Sequence, residues 1–175
     1  STAATTQLNQ PPPAVPAPAA IILPFIDAIA PLPFRSQVIE LKKVHRGASQ
    51  KPESLAQAAT VLRRCVPESD AELKTWLSEE NAAVTLNAAS FFEISIAQLP
   101  AIVAWTRDNI TTFQPSNKLV GAMGLLFYAP EKQRQDVMAW LVANVVPSIS
   151  AGLPTLRRDD FHTAVKLFHR LEYDD

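Results

Sequence analysis

The stretch VTLNAASFFEISIAQLPAIVAWTRDNITTFQPSNKLVGAMGLLFYA, residues 84–129, decides the fold. Its only charges are Glu93, Arg107, Asp108 and Lys118, too few to solvate both faces of a regular element. The stretch must therefore be buried, inside the subunit or against a neighbour. Pro100 and Pro115 stand where a helix would start, and there the missing amide proton costs nothing. The chain carries four glycines against fifteen prolines, a balance that disfavours hairpins and Gly-rich phosphate loops. The stretch reads as helices over 86–98, 100–112 and 116–129, although Phe91–Ile96 also passes for a buried strand. In the last of these, Gly121 and Gly124 permit close helix approach at a cost in propensity.

Reading outward gives more helices. Towards the C-terminus, 131–146 is polar from Glu131 to Asp136 and then carries Val137, Met138, Trp140, Leu141, Val145 and Val146. Pro147 to Pro154 reads as a turn, and 155–172 as a last helix with Phe161, Ala164, Val165, Phe168 and Leu171 at helical spacing. Towards the N-terminus, 53–66 places Leu55, Ala58, Ala59, Leu62, Cys65 and Val66 on one stripe. Residues 68–80 place Leu73, Trp76 and Leu77 inward. Acids fall in several first turns (Glu53, Glu68 with Asp70, Glu131), where they complement the helix dipole. The expected fold is all-α: an antiparallel bundle of about six helices over 51–175.

Before the bundle come two segments of different character. Residues 1–20 form a Pro/Ala-rich arm, expected to be disordered, with Pro13-Ala14-Val15-Pro16 matching a PxxP ligand or a plain spacer. Residues 21–50 read as an extended apolar strap and a basic connector, because Pro24, Pro31 and Pro33 oppose a long helix. Ile22, Phe25, Ile26 and Phe34 would cover the subunit's own core or a neighbour's. The same prolines leave the run too short to cross a bilayer, and no basic region precedes it, so neither a membrane span nor a signal peptide is expected.

Function is less legible. A net charge of −1 and a pI of about 6.3 remove the strongest argument for a dedicated nucleic-acid binder. A local basic groove remains open, with Lys42, Lys43, Arg46, Arg63, Arg64, Arg157 and Arg158 as the residues that would line it. The single Cys65 forms no internal disulfide and lies on an apolar stripe, which fits an intracellular, reducing setting. His162 and His169 are two turns apart on one helix face, too far for the usual metal pair. No nucleophile elbow, Walker lysine, dinucleotide fingerprint or zinc-protease motif occurs. No catalysis, cofactor or metal is expected. The profile suits a structural subunit that assembles with copies of itself, with a viral coat or nucleocapsid protein packaging RNA as its concrete form. A helical adaptor docking a protein partner is the alternative.

Glu93-Ile94-Ser95-Ile96-Ala97-Gln98-Leu99-Pro100-Ala101-Ile102-Val103 resembles a helix in the coat proteins of flexuous filamentous plant viruses. The resemblance covers this short stretch alone. The Arg/Cys/aromatic segment and the later aromatic-Asp motif of that family are not found downstream.

Overall fold

A computed structural model describes residues 18–47 and 52–171. Its described residues are all-α, with ten α-helices, short 3-10 turns and no strand. They fall into two compact units divided between Val61 and Leu62. The expected arm lies almost wholly outside the described residues, as does the tail after Leu171.

The first unit holds α1 (Pro18–Ile29), α2 (Phe34–Gly47) and most of α3 (Pro52–Cys65). The extended strap expected over 21–34 is thus corrected to a helix followed by a tight turn. Pro24 lies inside α1 and costs it a backbone hydrogen bond, about 3 kcal/mol in a helix interior. Burial of Ile26 and Ile29 offsets that, since each such side chain contributes about 1.5–3 kcal/mol. Gln37 stops the turn by donating to the Leu32 carbonyl at 2.9 Å. In the same unit His45 Nδ1 and Ser54 Oγ are hydrogen-bonded at 3.0 Å, both residues buried.

The second unit carries α4 (Asp70–Trp76), α5 (Glu79–Phe92), α6 (Leu99–Asn109), α7 (Pro115–Tyr128), α8 (Arg134–Asn144), α9 (Val146–Gly152) and α10 (Arg158–Arg170). Side-chain caps moved the expected boundaries. Ser69 accepts from the Glu72 amide and Ser78 from the Asn81 amide, each at 3.2 Å, so one helix becomes α4 and the next starts at Glu79 rather than 86. That next helix, α5, ends at Glu93, which sits in the left-handed region with φ 55°. Residues 94–96 are irregular, so neither the strand alternative nor a continuous helix over Glu93–Val103 is found. Pro147 breaks the chain after α8, and the two flanking helical segments meet at a bend of 44°.

Contacts fix the directions. At their starts α5 and α7 are joined by the Gln114 amide donating to Glu79 Oε2 at 2.7 Å. Midway, Gly124 lies against Leu86, and at their ends Glu93 and Tyr128 line one groove. The two helices therefore run the same way, and α6 is the return: Leu99 borders that groove while Thr106 and Ile110 sit on Gly121. Ser148 meets Lys118 and Gly152 meets Pro115, so α9 runs opposite to α7. Ser116 meets Asp160 and Phe127 meets Arg170, so α10 is again parallel to α7. Leu86, Ile102, Ile110, Leu119, Leu141, Ile149 and Leu167 are fully buried between them.

Candidate functional site

The basic residues expected to line one groove are scattered. Lys43 is exposed and paired with Glu40 at 3.0 Å, on α2 beside half-buried Lys42 and exposed Arg46. Arg63 and Arg64 are exposed in the last turn of α3, where cations suit the negative helix end. Gln98 Nε2 donates to the Glu68 carbonyl at 2.7 Å, which ties the segment after these arginines to the end of the unit where α6 starts. Arg157 and Arg158 are exposed at the opposite end, where α7 and α10 start. The two arginine pairs are therefore about one helix length, ~20 Å, apart and line no common groove.

The expected interface residues also divide. Ile26 is 2 % exposed in the single chain, so it serves the subunit's own fold rather than a neighbour's. Phe25 and Phe34 are half-buried, and the side chain of Ile22 lies outside the described residues.

An open groove of about 450 Å³ sits where α5 and α7 end, lined by Ser90, Glu93, Ile94, Leu99, Phe127 and Tyr128 among others. Its floor is mostly apolar, and the carbonyl ends of two parallel helices add negative potential to the Glu93 carboxylate. Arg170 closes one side by stacking on Phe127, 4.4 Å from the ring centre. The Tyr128 hydroxyl is buried without a hydrogen-bond partner, and burial pushes its pKa up to about 12. It keeps its proton at neutral pH and cannot act as a base. Tyr128→Phe is therefore expected to be neutral or stabilising by up to about 1 kcal/mol at pH 7, because it removes an unpaired polar atom. The native pKa lies above the unfolded value, so wild-type stability falls as pH rises from 10 to 12, and the Phe variant loses that slope. Urea midpoints at pH 9 and pH 12 for both proteins check it.

A second feature is the outward side of α10. The sequence placed Phe161 and Val165 inward, but they are 45 % and 52 % exposed, while Ala164, Leu167 and Leu171 are buried. The apolar positions span more of the helix than one neighbour covers. Phe161 and Val165, one turn apart, form a stripe beside the core-facing side.

Little chemistry is assembled elsewhere. Among the described residues no three His, Cys, Asp or Glu side chains are grouped to hold a metal ion. Cys65 is half-buried, and burial raises its pKa more than neighbouring Arg64 lowers it, so it stays a thiol at neutral pH. His162 and His169 are exposed. Trp76, Trp105 and Trp140 pack, partly buried, against the core, as anchors rather than stacking platforms for bases. Among the described residues no single helix is long and apolar enough to cross a membrane.

No protein-family model, curated protein or solved structure matches the chain.

Sequence reasoning missed three positions. Glu93 was read as a helix residue; a left-handed carboxylate residue carries no local signature beyond the loss of apolar spacing that follows it. Lys118 was counted as one charge in an apolar run, yet its Nζ donates to Ser148 Oγ at 2.8 Å and the residue is 7 % exposed. Tyr128 was left out of the apolar set, and its unpaired hydroxyl depends on packing that no local pattern encodes.

Proposed function

We propose that this chain is a non-catalytic structural subunit that assembles with copies of itself, its antiparallel helical body preceded by a Pro/Ala-rich arm. A coat or nucleocapsid subunit packaging RNA inside a virion is the concrete form of that reading. The observation that carries it is the outward apolar stripe of α10, because a Phe and a Val half out in water one turn apart are costly on a monomer. The exposed Arg63 and Arg64 are the best placed of the basic residues for phosphate contact.

Size-exclusion chromatography with light scattering, reading absorbance at 260 and 280 nm, tests both parts. The expected result is a species larger than the 19.1 kDa chain. If RNA is held, the absorbance ratio is high and Arg63→Glu with Arg64→Glu lowers it to that of protein. A monomer with a protein-like ratio overturns the reading.

The groove at the ends of α5 and α7 favours a second reading, an adaptor that docks a protein partner. An adaptor is monomeric alone, so the same chromatogram separates the two.

A further inference from the structure

We infer that the outward stripe of α10 pairs with the same stripe of a second copy, the two helices antiparallel about a two-fold axis at Val165. The inference rests on the self-assembly reading and names its contact surface.

The argument begins with the helix face. At 100° per residue, positions seven before and seven after Val165 return to within about 20° of its direction. Those positions are Arg158, exposed at the start of α10, and Glu172, which follows the last described residue. The stripe thus has a basic start, Arg157 and Arg158, an apolar middle, Phe161 and Val165, and an acidic sequel, Glu172, Asp174 and Asp175. Such a pattern is complementary to itself reversed. An antiparallel pair centred on Val165 sets Arg158 opposite Glu172 of the partner subunit, and the symmetry repeats this at the other end. Phe161 then lies opposite His169 of the partner subunit, and the two helix dipoles oppose. A parallel pair would bring arginines to arginines and acids to acids, so charge selects the direction.

Two consequences follow. A single helix pair covers less than the roughly 1,200–2,000 Å² of a standard interface, so this contact alone gives a weak dimer. An isologous contact also closes on itself, so a larger particle needs another surface. Arg157 and Arg158 become protein contacts and leave the list of phosphate ligands.

The test uses the full chain in a Cys65→Ser background. Val165→Cys is expected to cross-link to its own copy with a short bismaleimide, and Phe161→Cys, facing His169 of the partner subunit, is not. Arg158→Glu and Glu172→Arg should each weaken self-association about tenfold, and together they should restore it. Val165→Glu should abolish it without changing the circular dichroism spectrum, since the residue is exposed. A wild-type protein that self-associates while Val165→Cys fails to cross-link, or while Val165→Glu changes nothing, overturns this contact and leaves the assembly reading standing. A wild-type monomer at every concentration by light scattering overturns both.

Discussion

Gly124→Val should lower the unfolding free energy by about 3 kcal/mol, read as a fall in the urea midpoint at unchanged slope. A Cβ at Gly124 would stand 2.6 Å from the Leu86 Cβ and 3.2 Å from its carbonyl carbon. These atoms belong to the first carbon and backbone of α5 and cannot rotate away. The whole of α7 must lift off α5, loosening the contact that buries Leu86, Leu125 and Leu126. Gly121 provides the internal comparison. Its Cβ would meet the Ile110 Cδ1 at 3.3 Å, the far end of a flexible side chain. Gly121→Ala should therefore be near neutral, because a small packing cost is set against the ~1 kcal/mol by which Ala exceeds Gly in a helix. Equal losses at the two positions would mean that α5 and α7 do not touch through Gly124.

This pair of glycines shows what the sequence could and could not convey. That residues 84–129 form buried helices follows from their composition, and so does the helix start at Pro115. That Gly124, not Gly121, is where the backbones meet depends on which helix lies opposite, and no local pattern carries that. The same holds for α10. Its spacing marks five apolar positions, but only the packing of α7 beside it separates buried Ala164 and Leu171 from exposed Phe161 and Val165. At α1 the rule that proline opposes helix was outweighed by burial of Ile26 and Ile29, a tertiary gain that a local rule omits. The candidate site suffered most, because the groove is made by the ends of helices distant in sequence.

Lys118 yields the second large effect and a way to divide it. The side chain is buried where α7 begins, its ammonium bonded to Ser148 Oγ, which passes a hydrogen bond to the Val145 carbonyl at 3.0 Å. Burial holds its pKa below the usual lysine range, and the nearby Glu79 carboxylate opposes this without cancelling it. The charged form is thus disfavoured by folding, while the four-carbon stem fills space between α7 and α9. Lys118→Ala should cost about 2–4 kcal/mol, because it empties that space and removes the link to α9. Lys118→Met keeps most of the volume without the buried charge, and should cost no more than about 1 kcal/mol. The pH dependence follows from the same shift. With the folded pKa below the unfolded value of 10.5, the unfolded chain binds more protons between the two, so stability rises with pH across that window. The rise should vanish in Lys118→Met, read as the difference between the urea midpoints of variant and wild type from pH 8 to 10.5, below the range where Tyr128 acts strongly in the opposite sense. A Met variant as unstable as the Ala variant would show that the ammonium, through Ser148, is what joins α9 to α7.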